Sequence, residues 1–347
     1  MKGSAITMKL IDVQDAVGSI LCQDITKIVP GEFKGRAFKK GHIVTEQDIP
    51  ELLKLGKEHL YVWELEKGFI HENEAGIRLA KAIAGPSLRL TEPKEGKVSL
   101  VAEQDGVCQI DEELLFQVNM IEEIVVATVN QRRVVKKGDI VAGVRVIPLV
   151  IDEEKINTIE QILQDTCVVQ MKAFHQHKVG VITTGSEVFL KRIEDKFGPV
   201  VKAKVEKFGS EVIAHMIVDD DVEQIATAVK SLIEKGADLI LTTGGMSVDP
   251  DDVTPSGIRK SGADIVTYGA PVLPGSMLMV AYLGEVPILG LPGCVMYHKT
   301  TVFDLLLPLT LTGQKITRPM VVKLGLGGLC LECKECHYPM CAFGTGA

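Results

Sequence analysis

The chain has 347 residues, so two or three domains are expected, because single cores rarely grow beyond about 300 residues. Hydrophobic residues make up 46% and charged residues 24%, which is typical of globular proteins rather than disordered chains. The formal net charge is −8 and no basic stripe is interleaved with aromatics, which argues against nucleic acid as a partner. The sequence lacks a signal-peptide core and an apolar run of membrane-spanning length, so we expect a cytoplasmic protein without membrane contact.

The first 175 residues have the irregular patterning of accessory domains. We expect an α+β accessory region over residues 1–71 and a helix, a β-rich domain and a connecting helix over residues 72–175. Acidic first turns and amphipathic spacing predict three helices, over residues 48–56, 72–84 and 152–172.

Strands and helices alternate regularly between residues 176 and 313. Apolar runs predict five strands, at residues 178–183, 211–218, 238–241, 277–282 and 286–289. Helices are predicted within residues 199–208 and over residues 222–235 and 295–311. This alternation predicts the α/β class, with a doubly wound, mostly parallel sheet covered on both faces, preceded by mixed α+β and β-rich accessory domains.

Three glycine-containing loops directly follow predicted strands, at Thr184–Glu187, Thr243–Ser247 and Leu291–Gly293. The carboxyl ends of parallel strands meet at one edge of a sheet, where glycines let the backbone approach a ligand closely. One such loop is more often only a tight turn, but three on one edge favour a phosphate or pyrophosphate site. Neither the P-loop nor the dinucleotide-binding pattern is present.

Acidic side chains accompany these loops, and a run of three aspartates follows one of the strands. Carboxylates beside a phosphate site repel the ligand unless a cation lies between them, and Mg²⁺ is the usual bridge. The alternative is that the acids only cap helices and complement helix dipoles. We expect capping for Asp219 and Asp221, and a functional role for Glu187, Asp220 and Asp252.

The order and spacing of five motifs resemble one known domain. The motifs are VITTGSE at Val181–Glu187, DDD at Asp219–Asp221, LTTGGMSVDPDD at Leu241–Asp252, LPG at Leu273–Gly275 and GLPG at Gly290–Gly293. Together they resemble the molybdopterin-binding domain of the molybdopterin molybdenumtransferase family, which molybdopterin adenylyltransferases and competence-damage proteins share. The most specific element is the strand followed by TGG-x-S-V-x₃-D. The N-terminal half resembles the family's accessory domains more weakly, through turns such as Phe38–His42 and Val135–Asp139.

The resemblance implies that the loops bind molybdopterin in its adenylated form. The implied ligand-binding residues are Thr184, Gly185, Ser186, Glu187, Thr243, Gly244, Gly245, Met246, Ser247, Pro274, Gly275, Pro292 and Gly293. Glu187, Asp220 and Asp252 would be the catalytic acids, and Asp220 and Asp252 would bind Mg²⁺ or orient molybdate. The family inserts molybdate into the adenylated pyranopterin and releases AMP. It also implies a homodimer, and a molybdoenzyme or another cofactor-synthesis protein as a partner.

The chain departs from the family pattern in ways that bear on activity. Ser186 replaces an acid, Leu273–Ser276 replaces a Lys-Pro-Gly-Lys segment, and Pro292–Val295 replaces Pro-Gly-Asn-Pro. Loss of two cations should weaken binding of an anionic ligand or change specificity. Three functions therefore stay open: a molybdenumtransferase, a non-catalytic carrier or sensor of the cofactor, and a nucleotide pyrophosphatase like the competence-damage proteins.

A Gly-rich linker and a cysteine cluster are predicted over residues 314–347. Cys330, Cys333, Cys336 and Cys341 follow one another at C-x₂-C-x₂-C-x₄-C spacing. In a reducing compartment such spacing favours a Zn²⁺ ion or an iron–sulfur cluster over disulfides. The alternative is a chance accumulation of thiols in a disordered tail. Cys294 is ambiguous, because it lies at a predicted helix start, where thiolates are stabilised.

Overall fold

The computed structural model describes residues 6–29, 33–65 and 67–346. The accessory region predicted over residues 1–71 includes residues 1–5, 30–32 and 66, which lie outside the described residues. Contacts divide the chain into two compact units. The first contains residues 1–101, 111–128 and 140–169, and the second contains residues 102–110, 129–139 and 170–347. Within the described ranges, no helix combines the length and the apolar character needed to cross a membrane.

The strands, in chain order, are β1 Ile6–Asp12, β2 Ile20–Leu21, β3 Ile25–Val29, β4 Phe33–Phe38, β5 His59–Leu65, β6 Phe69–His71, β7 Leu88–Leu90, β8 Val98–Ala102, β9 Gly106–Ile110, β10 Ile124–Thr128, β11 Arg133–Val135, β12 Ile140–Val146, β13 Val150–Asp152, β14 Val169–Ala173, β15 Lys178–Thr184, β16 Glu211–Val218, β17 Leu239–Thr243, β18 Asp264–Tyr268, β19 Met279–Leu283 and β20 Val286–Leu291. The helices are α1 Ile49–Lys54, α2 Glu72–Ile83, α3 Glu112–Asn119, α4 Glu153–Ile162, α5 Ser186–Phe189, α6 Phe197–Glu206, α7 Val222–Glu234, α8 Thr254–Lys260, α9 Val302–Leu311 and α10 Arg318–Lys323. Short 3₁₀ helices occupy Val13–Asp15 and Gly293–Met296.

The first unit combines small antiparallel sheets with helices. One sheet has the order β1-β5-β2 and another the order β10-β12-β8-β7. His71 is the N-cap of helix α2, and its imidazole accepts a hydrogen bond from the Asn73 amide. Arg78 on α2 joins this helix to α4, because its guanidinium donates to both Glu153 and Glu160. The predicted helix at residues 72–84 is confirmed.

The predicted helix at residues 152–172 is correct only in its first half. Helix α4 ends at Ile162, and the later residues form strand β14. Val169 and Met171 are both buried while Lys172 is exposed, which is the alternation of a half-buried strand. Strand β14 joins β9 and β11 in a three-stranded sheet.

The second unit is built on a six-stranded sheet of order β16-β15-β17-β20-β19-β18. Strands β16, β15, β17 and β20 are parallel, and β19 at one side of this set pairs antiparallel with both β20 and the edge strand β18. Successive residues of β15 point to opposite faces: Val181 packs in a core with α6 and α9, and Ile182 packs in a core with α7 and α8. The predicted doubly wound, mostly parallel α/β fold is confirmed.

Several elements of this unit differ from the prediction. The last helix begins at Val302 rather than near residue 295, because Thr301 and Asp304 form a capping box that fixes the first turn there. Helix α8 and strand β18 occupy residues for which the sequence predicted no element. Helix α8 has only seven residues and starts with Pro255 in its first turn, so its periodicity is too short to detect.

Candidate functional site

Loops at the carboxyl ends of the parallel strands border a crevice of about 1130 Å³ in the second unit. The strand order reverses between β15 and β17, and open α/β sheets bind ligands outside the carboxyl ends of their strands at such a point. Eight residues predicted from the sequence line this crevice: Thr184, Gly185, Glu187, Asp220, Gly244, Gly245, Asp252 and Gly293. They come from segments that are far apart in the sequence, and the fold brings them together.

The glycine pair after β17 is required by close backbone packing. Gly244 has φ +85°, and a Cβ atom there would lie 2.1 Å from the Thr184 carbonyl oxygen. Gly245 has φ +52°, and a Cβ atom there would lie 2.6 Å from the Thr254 hydroxyl oxygen. The left-handed backbone and the missing Cβ atoms allow this loop to lie directly against the loop after β15. This part of the crevice is therefore walled by main chain.

Buried threonines hold the two loops in register. The hydroxyl oxygens of Thr184 and Thr254 are 2.8 Å apart. The Thr184 hydroxyl also donates a hydrogen bond to the Thr243 carbonyl oxygen at 3.3 Å. The Thr243 hydroxyl donates to the Thr183 hydroxyl oxygen over 3.1 Å. Thr243 is fully buried and does not line the crevice, so its role is to position the loop.

Asp220 connects the ends of β15 and β16. Its carboxylate accepts hydrogen bonds from the Ser186 amide at 2.8 Å and from the Ser186 hydroxyl at 3.2 Å. Asp219 also accepts from the Ser186 hydroxyl, at 2.6 Å. Ser186 therefore faces these two carboxylates instead of the crevice. An acid at position 186 would place a third negative charge here, which gives a physical reason for the departure from the family pattern.

Asp221 has the capping role that the sequence predicted. It is the N-cap of α7, and its side chain accepts a hydrogen bond from the Gln224 amide at 2.8 Å. Asp219 differs from that expectation, because its carboxylate binds Ser186 and the Asp220 amide.

The crevice is strongly acidic. Its carboxylates belong to Glu187, Glu194, Asp195, Asp220, Asp249, Asp251 and Asp252, and Lys196 is the one cationic side chain among the described lining residues. Such a surface attracts cations and repels phosphate. A phosphate ligand in this crevice would therefore need a bridging divalent cation.

Seven of the residues implied as ligand contacts do not line the crevice: Ser186, Thr243, Met246, Ser247, Pro274, Gly275 and Pro292. Met246 is buried in the core next to Gly290. Tyr268 donates a hydrogen bond to the Met246 carbonyl at 2.7 Å, and burial raises the pKa of Tyr268, with a smaller contribution from nearby Asp252. Gly275 packs against Val302, where a Cβ atom would lie 2.5 Å from a side-chain carbon. Met246 and Gly275 therefore help to position the loops instead of lining the crevice.

Asp195, Lys196 and Tyr297 also line the crevice, and the sequence patterns did not predict them. Asp195 accepts hydrogen bonds from the Phe197 and Gly198 amides at the start of α6. Asp195 therefore satisfies two backbone amides in the first turn of this helix. An aspartate two residues before a helix was the available signal. Nothing in the sequence singled out Tyr297.

The four tail cysteines line a second, separate hollow of about 330 Å³. No three His, Cys, Asp or Glu side chains stand close enough together to hold one metal ion, in the part of the chain that the structure describes. Cys294 lines neither cavity. Burial raises the pKa of its thiol, so Cys294 is not the stabilised thiolate that a helix start could have produced.

Comparison with known proteins assigns most of the second unit. A family model described as "Probable molybdopterin binding domain" matches residues 180–312, and a model described as a domain of unknown function matches residues 10–64. The molybdopterin molybdenumtransferase of Staphylococcus aureus strain COL is 33% identical over 131 residues, which cover 36% of this chain and 31% of that protein. The same enzyme of Staphylococcus epidermidis strain ATCC 35984 is 30% identical over 165 residues, covering 43% of this chain and 37% of that protein.

Similar solved structures cover about two fifths of the chain. The protein CinA from Thermoplasma acidophilum is 20% identical, with 39% of this chain and 96% of that chain covered and a TM-score of 0.33. The tungsten cofactor synthesizing protein MoaB from Pyrococcus furiosus is 24% identical, with 40% and 92% covered and a TM-score of 0.32. The chain spans about a third of the length of the curated relatives it matches. Residues 180–312 thus belong to the molybdopterin-binding domain family.

Proposed function

We propose that the crevice binds adenylated molybdopterin and that the protein acts in molybdenum cofactor synthesis, inserting molybdate with release of AMP. The observation that carries the proposal is the convergence of Gly185, Gly244, Gly245 and Gly293 with acids Glu187, Asp220 and Asp252 around one crevice. Close-packed glycine backbone suits the approach of a phosphate, and the crevice is larger than a typical small-molecule pocket of about 300–1,000 Å³. It has room for a pterin and a nucleotide together.

Magnesium is proposed as the ion that makes this acidic crevice accept a phosphoanhydride. Mg²⁺ is usually held by one or two carboxylates together with water and substrate phosphates, so it does not need a cage of three protein ligands. Asp220 and Asp252 are the proposed holders, because both line the crevice together with the Gly244–Gly245 wall. A Cβ atom on Gly245 would lie 3.5 Å from an Asp220 carboxylate oxygen, so the missing side chain keeps that oxygen accessible. When bound, Mg²⁺ would supply positive charge that offsets the negative charge developing on the phosphoanhydride.

The chain's own residues would orient the reactants. The Ser186 amide and hydroxyl fix Asp220, and the Asp249 amide donates to the Asp252 carboxylate at 3.2 Å. Glu187 borders the crevice beside Gly185, and its carboxylate is the proposed group that would orient the attacking water. Hydrolysis of the phosphoanhydride consumes one water and releases AMP, and the two thiols of the pterin bind molybdenum while their two protons carry away one molybdate oxygen as water. No oxidant or reductant is required.

The direct test is AMP release. Purified full-length protein would be supplied with adenylated molybdopterin, molybdate and Mg²⁺, with Asp252→Ala as the background. We expect release that requires both Mg²⁺ and Asp252. Release at the level of the Asp252→Ala variant would rule out catalysis.

A carrier or sensor of the cofactor is the second candidate, favoured by the shortage of cations. Among the described lining residues, Lys196 alone opposes seven carboxylates, and Pro274 and Gly275, in the segment where the family carries lysines, do not line the crevice. A carrier would copurify with a pterin that becomes fluorescent on oxidation and would release no AMP. Protein isolated without pterin from cells rich in the cofactor would argue against this function.

A further inference from the structure

Cys330, Cys333, Cys336 and Cys341 are brought together by the fold of the tail. All four line the same hollow of about 330 Å³. Cys330 and Cys341 are half-buried and pack against the main core of the second unit, whereas Cys333 and Cys336 are exposed. Four thiols around one hollow make a soft-metal site, because thiolates are the ligands that zinc and iron–sulfur centres prefer.

Both ends of the cysteine loop are anchored to the rest of the unit. The Cys330 amide donates to the Leu273 carbonyl at 2.8 Å, and the Gly344 amide donates to the Gly327 carbonyl at 2.9 Å. Phe343 is buried in the core. The fold therefore fixes where the loop starts and finishes, and the four thiols are confined to one small volume.

The loop between these anchors has no regular secondary structure and few buried apolar side chains to stabilise it. Residues 330–341 contain no helix or paired strand, and Leu331 and Met340 are 76% and 73% exposed. Apart from Cys330, Tyr338 and Cys341, which pack against the core, the loop buries little apolar surface to offset its conformational entropy. A metal centre provides the missing free energy in small metal-bound domains, where binding and folding are coupled.

The size of the hollow distinguishes the two kinds of metal centre. A single tetrahedral zinc with Zn–S bonds of about 2.3 Å requires thiolate sulfurs about 4 Å apart. The described residues contain no such trio of ligands, and the thiols instead surround open space. An inorganic iron–sulfur core occupies space between its cysteines and holds them apart. The hollow fits that arrangement better.

The spacing of the cysteines also favours an iron–sulfur cluster over a single zinc ion. The first three follow C-x₂-C-x₂-C, which is the run that supplies cluster ligands in bacterial ferredoxins. Zinc sites instead use two pairs of ligands that are separated by a longer stretch. The x₄ interval before Cys341 is one residue longer than in the ferredoxin run. Tyr338 and Phe343, which flank Cys341 in the sequence, pack in the core and fix the position of this part of the loop.

We propose that Cys330, Cys333, Cys336 and Cys341 bind one iron–sulfur cluster in this hollow. The cluster lies beside the crevice, because the segment 293–300 borders both cavities: Gly293 and Met296 line the crevice, Thr300 lines the hollow, and Tyr297 lines both. The hydroxyl of Thr300 is 3.3 Å from the Cys336 sulfur. Cluster binding would therefore order one wall of the crevice. The centre would be present whether or not the crevice binds a pterin.

The test is chemical analysis of full-length protein purified without oxygen. We expect iron and acid-labile sulfide in equal amounts, about two or four of each per chain, with visible absorption that bleaches on reduction. Cys333→Ser and Cys336→Ser should lose the iron and sulfide, because serine is a poor ligand and both exposed sites tolerate the change. Cys22→Ser, a half-buried cysteine of the first unit, should retain them.

Three results would overturn the proposal: zinc without sulfide, a cluster retained in Cys333→Ser, or a protein that stays metal-free after reconstitution with iron and sulfide. Limited proteolysis of the wild-type chain gives a second readout that does not depend on variants. Lys334 lies inside the loop and lines the hollow. Trypsin should cut at Lys334 in the metal-free protein much faster than in the reconstituted protein, and equal rates would count against a cluster.

Discussion

Asp220 accepts two hydrogen bonds from Ser186, one from the backbone amide at 2.8 Å and one from the hydroxyl at 3.2 Å. This pair joins the loop after β15 to the end of β16, and Asp220 at the same time borders the crevice. The carboxylate is thus held in one orientation by its neighbour. A fixed acid beside a glycine wall is the arrangement expected of a group that positions a metal ion.

Asp220→Asn should abolish most of the Mg²⁺-dependent release of AMP while the protein stays folded. Asparagine keeps the shape and one acceptor for the Ser186 amide, but it removes the negative charge. Loss of one preorganised electrostatic group costs about 10²-fold in rate. The measurement is the rate of AMP release at saturating Mg²⁺.

Asp221→Asn is the matched control for this change. Asp221 caps α7 through the Gln224 amide, and asparagine is as good an N-cap as aspartate. Its activity should remain close to that of the wild type. Equal losses in both variants would mean that the acidic run acts only through its overall charge.

Gly244→Ala should destabilise the domain and empty the crevice. The new Cβ would lie 2.1 Å from the Thr184 carbonyl oxygen, so one of the two loops must move. A backbone clash in a buried loop costs several kcal/mol, in addition to about 1–2 kcal/mol for a non-glycine residue in the left-handed region. Denaturant unfolding and the pterin content of the purified protein would both report the effect.

Gly209→Ala separates the clash from the backbone strain. Gly209 has φ +80°, close to that of Gly244, but no atom lies within 4 Å of the position that a Cβ would take. We expect Gly209→Ala to lose only the free energy of the strained backbone and to keep its pterin. If the two variants unfolded at the same denaturant concentration, the close contact at Thr184 would not contribute to the loss of stability in Gly244→Ala.

The sequence predicted the fold of the second unit and the loops of its crevice because both depend on local signals. Apolar runs mark buried strands, and a glycine-rich turn after a strand marks a ligand edge. Which loop residues face the crevice depends on contacts that are distant in sequence. Ser186 turns toward Asp219 and Asp220, and Met246 turns into the core beside Gly290, and neither orientation has a local signature.

The discontinuity of the two units also depends on distant pairing. Residues 102–110 and 129–139 group with the second unit, since β9 pairs with β11 and stands beside β14. From the sequence, these residues were predicted to belong to one β-rich accessory stretch. The alternation of apolar and polar residues predicts a strand but not its pairing partner. The four-part division of the chain stays a prediction. The cysteine spacing, in contrast, can be seen in the sequence. That the four cysteines line one hollow depends on how the tail folds.

Thr242→Val should leave stability unchanged or raise it by up to about 1 kcal/mol. The Thr242 hydroxyl is fully buried on β17 and has no hydrogen-bond partner among the described residues. A buried donor without a partner costs about 1–3 kcal/mol, and valine has the same shape without the polar group. Thr243→Val on the same strand should instead lose about 1 kcal/mol, because it removes the donor to Thr183. Equal shifts in the unfolding midpoint would show that the two hydroxyls are equivalent.

His71 should make the first unit sensitive to mild acid. The imidazole is buried, accepts from the Asn73 amide at 3.2 Å and lies 3.1 Å from the Gly41 carbonyl oxygen, to which its other nitrogen can donate. Burial lowers the pKa of His71 below its ordinary value of about 6.5, so the folded state keeps the ring neutral while the unfolded chain protonates. Stability from this group is therefore complete above pH about 6.5 and is lost as the pH falls through that value toward the lower folded pKa.

His71→Asn isolates this contribution, because the asparagine oxygen can still cap α2 while the group that titrates is gone. At pH 8 the variant should be less stable by about 1 kcal/mol, from loss of the Gly41 contact and the packing of the ring. The difference from the wild type should shrink as the pH falls from 7 to 5, since only the wild type then loses stability at His71. Denaturant unfolding of both proteins across this range measures it. A constant difference would mean that the buried imidazole titrates with the same pKa in the folded and unfolded states.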